Sequence, residues 1–355
     1  MKLIIRADSN KFIALGHVMR CLSVADAFEC ASHKDEVLFV TASCDPKELI
    51  EKRGYDCEVL NTDYKDMCGE FPFFRPIIEQ FKPDVILVDS YYVCDEYFQL
   101  LKKYAKVACF DDFEKDAFPT DILINYNFNV NGFDYDRLYT EKGIKKPLLL
   151  EGPAYAPLRK EFGIFNTAKE REPHTPLRVL VSTGGSDSCH VALGICEDFV
   201  KSETARQEKA ILSLLVGPFS EDYDKLKAYE KQFPEVVHIC SNITKMAEFL
   251  SGFDIAVSAA GSTTFELCAA KIPTMLCYTA DNQERIYNNA TGLGLFFKGG
   301  SALNNIQKLR EEAADFIDTA VGDYKKVYAN ELLKASYVDA KGAERIRDSF
   351  KNIQG

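Results

Sequence analysis

Short apolar runs alternate with amphipathic stretches along the first half of the chain. The apolar runs are often β-branched, and several end in Asp or Ser; they span 2–8, 36–42, 84–90, 106–112 and 121–126. The amphipathic stretches have helical periodicity and lie between them, at 16–31, 46–53 and 95–104. Runs that are apolar throughout are typical of strands buried on both faces, so this pattern predicts a parallel sheet covered by helices.

The same alternation restarts after residues 151–177, where several prolines and mixed charge indicate a linker. The apolar runs that follow lie at 178–185, 211–217, 235–241, 254–261 and 274–279. We therefore predict an α/β fold of two doubly wound domains, in which the carboxyl ends of the strands face a ligand-binding cleft. The predicted segments are a first domain, a linker, a second domain and a helical tail, at 1–155, 156–176, 177–325 and 326–355.

The composition excludes several classes of partner. Apolar residues make up 46% and charged residues 27% of the 355 positions, as in ordinary globular domains. The net charge of −11 disfavours binding to nucleic acid or to an anionic membrane, and no run is apolar enough to span a bilayer. Residues 1–8 carry charges where a signal peptide needs an apolar core, so we expect a cytoplasmic protein, and we expect a monomer.

The cysteines argue against metal chemistry. Twelve are scattered along the chain, with no C-x-x-C pair and no spacing against histidine that resembles a zinc module. In a cytoplasmic protein they are expected to be reduced thiols, mostly small residues of the core. We therefore predict that the protein uses neither a metal nor another cofactor.

One glycine-containing strand end in the second domain is a candidate anion site. Gly184 and Gly185 follow a predicted strand directly. Ser186 and Asp187 come next, where we expect a helix to begin and its free N–H groups to bind phosphate. A strand–helix turn that is simply capped by Ser186 or Asp187 is an equally good interpretation.

A second glycine-containing strand end carries an acidic residue. Gly261 ends a predicted strand, and Ser262 and Thr263 lead into a helix. Glu266 follows one turn later and could accept two hydrogen bonds from a ribose diol, although its spacing from Thr263 also fits a capping box. Further hydrogen-bonding groups follow the next strand, at 281–283. Together these loops fit a nucleoside diphosphate with an attached sugar, held without metal.

The histidine of the first strand–helix junction is the candidate base. His17 follows Gly16 at the predicted start of a helix, where imidazolium is disfavoured and a neutral ring can accept a proton. A histidine that caps its own helix is the alternative. Strand ends at 88–92 and 110–114 add acidic groups and Tyr91 as candidates for binding sugar hydroxyls or amides. Exposed acidic turns are the simpler interpretation of each individual residue.

Several segments together resemble a known family. In chain order they are IRADSNKFIALGHVMRCLSVADAF, VDSYY, CFDD, LEGPAYAPLRKEF, VSTGGSD, SAAGSTTFELCAAKIPT and ADNQ. This order is similar to that of PseG-type UDP-sugar hydrolases of pseudaminic acid biosynthesis, and the similarity runs from residue 1 to about 295. The glycine and glutamate motifs are shared more widely with GT-B glycosyltransferases, and residues 338–346 resemble the tail of spore-coat polysaccharide proteins.

The resemblance implies a GT-B fold of two Rossmann-like domains, with UDP bound mainly by the second. It also implies metal-independent hydrolysis of UDP-2,4-diacetamido-2,4,6-trideoxy-β-L-altropyranose, in which water attacks the anomeric carbon with inversion and releases UDP and the free sugar. A GT-B glycosyltransferase with a UDP-sugar donor is the first alternative. The second alternative is a UDP-sugar-binding protein without catalytic activity.

By position, the resemblance implies that His17 is the general base that deprotonates the water. The implied substrate-binding residues are Arg6, Asp8, Gly16, Tyr91, Asp111, Asn282 and Gln283. The implied nucleotide-binding residues are Gly185, Ser186, Asp187, Ile243, Gly261, Ser262, Thr263 and Glu266. Ala14 and Ala260 stand where the family commonly has glycine, and these departures concern the sugar specificity more than the reaction class.

Overall fold

The computed structural model describes residues 1–10, 15–29, 35–114, 116–128, 133–167, 172–217, 220–328, 334 and 337–353. Internal contacts divide the chain into two compact units: Met1–Lys160 together with Ala340–Gly355, and Glu161–Asp339. The end of the expected tail at 326–355 thus belongs to the first unit and is not a separate segment. The expected linker at 156–176 is divided between the units and includes a 3-10 helix, Lys160–Thr167.

The first unit is built on a parallel sheet. Within the described residues its strands are β1 (Lys2–Ala7), β2 (Glu36–Thr41), β3 (Asp56–Val59), β4 (Val85–Asp89), β5 (Lys106–Phe110), β6 (Ile122–Asn125) and β7 (Leu148–Glu151). They are hydrogen-bonded in the order β3-β2-β1-β4-β5-β6-β7. The helices that follow these strands are α1 (Gly16–Glu29), α2 (Lys47–Lys52), α3 (Met67–Phe81), α4 (Asp95–Leu101) and α5 (Tyr135–Lys142). The central strands are buried, as their apolar runs predict.

The second unit repeats this plan. Its described strands are β8 (Leu177–Ser182), β9 (Ala210–Leu215), β10 (Val237–Cys240), β11 (Ile255–Ala259), β12 (Thr274–Tyr278) and β13 (Phe297–Ser301). They are parallel and lie in the order β10-β9-β8-β11-β12-β13. The helices are α6 (Val191–Phe199), α7 (Glu203–Arg206), α8 (Tyr223–Gln232), α9 (Met246–Leu250), α10 (Thr263–Ala270), α11 (Asp281–Gly292), α12 (Ala302–Gly322) and α13 (Tyr324–Tyr328). Throughout the described part of the chain, every helix is too short or too polar to cross a membrane.

The prediction of two doubly wound α/β units is confirmed, with three strands that the hydrophobic pattern did not reveal. These strands, β3, β7 and β13, all lie at the edges of their sheets. An edge strand is partly exposed, so it does not need an apolar run: β3 reads DCEV, and β13 contains two glycines. In β7, whose sequence is apolar, Leu148 is nevertheless largely exposed. The pattern of apolar runs therefore identifies central strands better than edge strands.

The last described helix, α14 (Gly342–Asn352), packs on α1 within the first unit. The Phe350 ring centroid lies 6.2 Å from that of Phe28, and Arg347 Nη1 donates to the Ala27 carbonyl at 3.1 Å. At the start of α14 the backbone of Gly342 approaches Ala156 so closely that an added Cβ would lie 2.1 Å from the carbonyl oxygen. The helix that begins beside His17 is thus supported by residues from the far end of the chain.

Candidate active site

His17 and Asp89 form a hydrogen-bonded pair in the first unit. Ala7 lies opposite Asp89 in the pairing of β1 with β4, so β4 ends beside the start of α1, the helix that follows β1. His17 Nδ1 lies 2.5 Å from Asp89 Oδ1, and both side chains are buried. Because a carboxylate accepts this hydrogen bond from Nδ1–H, Nε2 is the proton acceptor of the neutral ring. The ring therefore bonds to β4 and does not cap its own helix.

Arg20 holds the Asp89 carboxylate from the opposite side. It lies one helical turn after His17, and its Nε and Nη2 donate to the two oxygens of Asp89 at 2.6 and 2.5 Å. The same guanidinium donates to both oxygens of Asp112, at 2.8 and 2.9 Å, and to the Tyr126 hydroxyl at 2.8 Å. Its Cζ atom lies 4.4 Å from the Phe110 ring centroid. These contacts fix Asp89 and, through it, the orientation of the imidazole.

The charges around Asp89 keep it ionised. Burial raises the pKa of this carboxyl, but the positive charge of Arg20 and the contact with His17 outweigh burial and hold the pKa well below its ordinary range. An ionised Asp89 favours the tautomer with the proton on Nδ1 and stabilises the imidazolium that forms when Nε2 takes up a proton. Nε2 itself is buried and has no hydrogen-bond partner within the described residues. An imidazole held in this way can accept a proton at Nε2.

Tyr91 and a cavity adjoin the pair. The Tyr91 ring meets the His17 ring edge-on, with centroids 4.4 Å apart, and it also contacts Phe113 at 4.9 Å. Burial raises the pKa of Tyr91, and the carboxylate of Asp112 adds to this rise, so the phenol stays a hydrogen-bond donor. A cavity of about 250 Å³ lies beside these groups, and its lining includes Tyr91, Asp89 and Ser90. The expected strand-end candidates at 88–92 and 110–114 thus meet at one place.

Three residues that we expected to contact substrate have their charged groups inside the first unit. Arg6 is fully buried and donates to Glu70 at 2.8 and 2.6 Å and to Asp8 at 2.6 Å. Asp8 also accepts a hydrogen bond from the Ala42 N–H at 2.8 Å. Asp111 accepts from two N–H groups of its own loop and from a tyrosine hydroxyl. For Arg6 and Asp8 these contacts favour a role in holding the loops, whereas Asp111 also lines the cavity beside Tyr91.

The loop after β8 differs from our expectation. The helix that follows it, α6, begins at Val191, so Ser186 and Asp187 do not lie at a helix start. The Asp187 carboxylate instead reaches forward and accepts from the N–H groups of Val191 and Ala192, at 3.0 and 2.9 Å. These N–H groups are the ones that a helix start offers to an anion, and they are already satisfied. The structure agrees with the alternative interpretation, in which Asp187 caps the helix that follows the turn.

The loop after β11 keeps the arrangement that the sequence predicts. Gly261 follows the strand, Ser262 precedes α10, and Thr263 is the first residue of that helix. The Ser262 side chain makes no capping hydrogen bond. Glu266 is the fourth residue of α10, one position beyond the place that a capping box requires, so the capping-box alternative does not hold. Its side chain is partly buried in the first turn of the helix.

Three loops of the second unit meet at one edge of its sheet. Ser258 of β11 lies opposite Ser182 of β8, so the loops that follow these two strands are neighbours. Cys189 Sγ donates to the Thr279 carbonyl at 3.7 Å and thereby joins the loop after β8 to the loop after β12. Gln283, in the first turn of α11, accepts from the Thr279 N–H at 2.8 Å.

Other expected contacts lie around these loops. Asn282 is exposed in the first turn of α11, and Ile243 is partly buried between β10 and α9. Gly185 lies close to Gly217, where an added Cβ would stand 2.4 Å from the Gly185 carbonyl oxygen. Of the two departures from the family pattern, Ala260 is fully buried, and Ala14 lies outside the described residues.

Arg20, Asp89, Asp112 and Tyr126 were missed as individual site residues. A signal for Arg20 was present, because a residue three positions after His17 lies on the same face of a helix. Asp89 and Asp112 were within the strand ends that we singled out, but no local pattern distinguishes a carboxylate that bonds to a histidine from an exposed turn residue. Gly16 does begin α1 as expected, and a Cβ placed there would meet no atom within 4 Å.

No protein-family profile matches the chain. The uncharacterized protein MJ1062 of Methanocaldococcus jannaschii is 24% identical over 296 residues, which cover 81% of this chain; the chain spans only 58% of that relative's length. The UDP-N-acetylglucosamine–N-acetylmuramyl-(pentapeptide) pyrophosphoryl-undecaprenol N-acetylglucosamine transferase of Carboxydothermus hydrogenoformans is 30% identical over 295 residues, which cover 76% of this chain and 77% of the transferase. The chain belongs to the GT-B glycosyltransferase-like family of this enzyme.

Solved structures agree with the GT-B fold. The spinosyn rhamnosyltransferase SpnG with spinosyn aglycone has a TM-score of 0.66 at 14% identity and is aligned over 98% of this chain and 99% of its own. MurG of Acinetobacter baumannii has a TM-score of 0.65 at 12% identity, with 99% of both chains aligned. The UDP-GlcNAc 2-epimerase of Methanocaldococcus jannaschii has a TM-score of 0.59 at 13% identity and is aligned over 99% of this chain and 100% of its own. At these identities the likeness concerns the fold, and the GT-B fold carries more than one reaction.

Proposed function

We propose that this GT-B protein is a UDP-sugar-dependent enzyme in which His17 deprotonates an oxygen nucleophile that attacks the anomeric carbon. The observation that carries the proposal is the contact of 2.5 Å between His17 Nδ1 and Asp89, which leaves Nε2 to take up the proton. A positioned general base of this kind typically contributes ~10²–10⁴-fold to the rate.

Asp89 has two roles in this mechanism. It holds the imidazole in the tautomer that can accept a proton, and its negative charge stabilises the imidazolium once the nucleophile has been deprotonated. Arg20 keeps the carboxylate ionised and fixed, through two hydrogen bonds of 2.6 and 2.5 Å. The tyrosine that meets the His17 ring, Tyr91, is a protonated phenol and is proposed to donate a hydrogen bond to the sugar.

We assign the nucleotide to the second unit, with Glu266 as the ligand of the ribose hydroxyls. The position of Glu266 supports this assignment, because its partly buried side chain lies in the first turn of α10, directly after the loop that follows β11. Gly261, Ser262 and Thr263 are proposed to contact the diphosphate at the start of α10, where N–H groups and the helix dipole favour negative charge. Gly185, Ser186, Ile243, Asn282 and Gln283 keep their proposed contacts, whereas Asp187 is removed from the set because its carboxylate caps α6.

The finer proposal is that the nucleophile is water and that the reaction is hydrolysis of UDP-2,4-diacetamido-2,4,6-trideoxy-β-L-altropyranose with inversion. Two observations support it. The order of motifs from residue 1 to about 295 resembles that of the PseG-type hydrolases. The burial of His17 Nε2 also favours a small nucleophile over a bulky acceptor.

Glycosyl transfer to an acceptor hydroxyl is the second candidate, and the comparisons favour it over hydrolysis. The relative that is 30% identical to this chain is a transferase, and so are SpnG and MurG. The proposed base is the same in both reactions, since an acceptor hydroxyl also has to lose a proton. The two candidates differ only in what enters the site with the donor.

Incubation with a panel of UDP- and GDP-linked 2,4-diacetamido sugars, without acceptor, separates the candidates. A hydrolase releases UDP and free sugar in equal amounts, at a rate that an acceptor does not increase. NMR at early times then shows the inverted anomer. A transferase releases UDP only slowly until an acceptor is added. Binding of a UDP-sugar without turnover under either condition would show that the protein is a binding protein and that the base assignment is wrong.

A further inference from the structure

Two cysteines of the first unit lie side by side near the surface. Cys68 Sγ and Cys94 Sγ are 3.0 Å apart, although the residues are separated by 26 positions in the sequence. Cys68 is in the first turn of α3, and Cys94 is the residue that immediately precedes α4. Cys94 is exposed and Cys68 is partly buried, so the pair differs from the core cysteines of this unit, such as Cys109.

The loop that ends at Cys94 is the one that carries Tyr91. This loop, Ser90–Cys94, begins directly after Asp89 at the end of β4. Its Tyr91 meets the His17 ring at 4.4 Å, and its Tyr92 ring lies 5.5 Å from the ring of Tyr64, which precedes α3. The segment from Tyr64 to Cys68, which leads into α3, therefore already contacts the loop at two points, one of which is the cysteine pair.

We propose that Cys68 and Cys94 form a reversible disulfide that fixes the Ser90–Cys94 loop and thereby lowers the activity of the His17 site. The juxtaposition of the two sulfur atoms carries this inference, because most pairs of distant cysteines cannot be joined without movement of the backbone. Closing the bond brings the sulfurs from 3.0 Å to about 2.05 Å, a shift that the loop can absorb. The tether then opposes any movement of Tyr91 that admits a substrate to the neighbouring cavity.

The oxidant is a low-molecular-weight disulfide such as oxidised glutathione. The exposed Cys94 thiolate attacks one sulfur of the oxidant, forms a mixed disulfide and displaces one small thiolate. Cys68 then attacks Cys94 Sγ and displaces the second small thiolate. The two protons of the cysteines pass to the released thiolates, so one disulfide is reduced as the other is formed.

The order of attack follows from the surroundings of the two thiols. Burial raises the pKa of Cys68 to about 12, and the neighbouring Cys94 adds to this rise. Cys68 is thus a poor first nucleophile, whereas the exposed Cys94 can be reached by a small oxidant. Cys68 acts second, when the mixed disulfide lies beside it.

The test is equilibration of the full chain in glutathione buffers of increasing oxidised fraction, followed by tryptic mass mapping. Arg75 and Lys82 each precede a proline, where trypsin does not cut, so Cys68 and Cys94 lie in one tryptic peptide, residues 66–102. We expect this peptide to be lighter by two hydrogen atoms in the oxidised form, and dithiothreitol to restore its mass. Amide hydrogen exchange of residues 88–97 should slow in the oxidised form. Neither readout depends on the proposed function, so a failure of that proposal does not obscure the result.

Turnover of the UDP-sugar that the acceptor-free panel selects gives the functional readout, and this readout alone rests on the proposed function. We expect oxidation to lower it by ~10-fold or more, since small displacements near a reacting group can cost up to ~100-fold. The variants Cys68→Ser and Cys94→Ser should keep their turnover in the same buffers. Cys44→Ser is the matched control, because Cys44 is also exposed in the first unit but is not part of the pair, and this variant should remain sensitive.

Two results would overturn the inference. One is that the Cys68–Cys94 disulfide is absent at every glutathione ratio, while circular dichroism shows that the protein remains folded. The other is a cross-linked form whose turnover and hydrogen exchange in 88–97 match those of the reduced form.

Discussion

The two strand–helix junctions that follow β1 and β8 both contain glycine and polar residues but use their polar residues differently. After β1, His17 in the first turn of α1 turns away from its own helix and bonds to Asp89 on a neighbouring strand. After β8, Asp187 turns towards its own helix and satisfies the N–H groups of Val191 and Ala192. The comparison shows that a polar side chain near a helix start is available for chemistry only when it does not bond to the N–H groups of its own helix. The sharpest way to test this contrast is to change one residue at a time.

The largest effect is expected for His17→Asn. We expect kcat to fall by ~10²–10⁴-fold, because asparagine can still bond to Asp89 but cannot accept the proton. Calorimetric titration should show that UDP binds as tightly as before, since the assigned nucleotide ligands are in the second unit. His174→Asn is the matched control: His174 bonds to Asp254 at 2.8 Å in the second unit, and its loss should leave kcat unchanged. A kcat of His17→Asn within a few-fold of the wild type would show that His17 is not the base.

Asp89→Asn should follow, with kcat lower by roughly 10²-fold or more, because an amide does not hold the proton on Nδ1 or stabilise an imidazolium. Steady-state kinetics across pH measure this effect. Asp254→Asn, at the histidine–aspartate pair of the second unit, controls for the general loss of a buried carboxylate. Equal losses of activity in the two variants would refute a specific role for Asp89.

Glu266→Gln tests the second unit at the loop that kept its expected arrangement. We expect UDP binding to weaken by about 1.5–3 kcal/mol, the range for hydrogen bonds to a charged group, with a smaller effect on kcat. Titration calorimetry of both proteins with UDP measures this change in the dissociation constant. Glu248→Gln on α9 is the control, because Glu248 is an exposed helical glutamate of the same unit. Unchanged affinity for UDP in Glu266→Gln would remove the ribose assignment.

The smallest effect is expected for Asp187→Ala. Loss of this cap should lower the free energy of unfolding by about 1 kcal/mol. Nucleotide affinity should change little, as the carboxylate already serves α6. Urea denaturation with UDP titration measures both quantities. Asp134→Ala, which removes the cap of α5 in the first unit, should show a similar loss of stability. If Asp187→Ala instead weakened UDP binding tenfold, the two junctions would be alike after all.

The sequence was sufficient for the plan of both units but not for the details of the site. Central strands could be predicted because they are buried on both faces. The edge strands β3 and β13 lack an apolar run, and β7 is apolar but only four residues long. His17 could be singled out by its place near a helix start. Asp89 could not be recognised as its partner, because that depends on the register of β1 with β4, which links residues far apart in the chain.

The loop after β8 shows a second limit. The glycines and polar residues there predict a turn, and a turn is present. α6 begins only at Val191, and its first N–H groups bond to a side chain from four residues upstream. A carboxylate and a phosphate can both accept from such N–H groups. Local sequence cannot distinguish between these two partners.

The support of α1 by α14 bears on how the protein is made. The first unit combines residues 1–160 with residues 340–355, so its sheet is synthesised early, but its last helix emerges only after the whole second unit has been translated. Since chains fold domain by domain from the N-terminus during synthesis, the second unit can complete its core before the first one does. The helix that packs on α1 is thus translated after both sheets. A nascent chain that stalls before Gly342 lacks Phe350, the partner of Phe28.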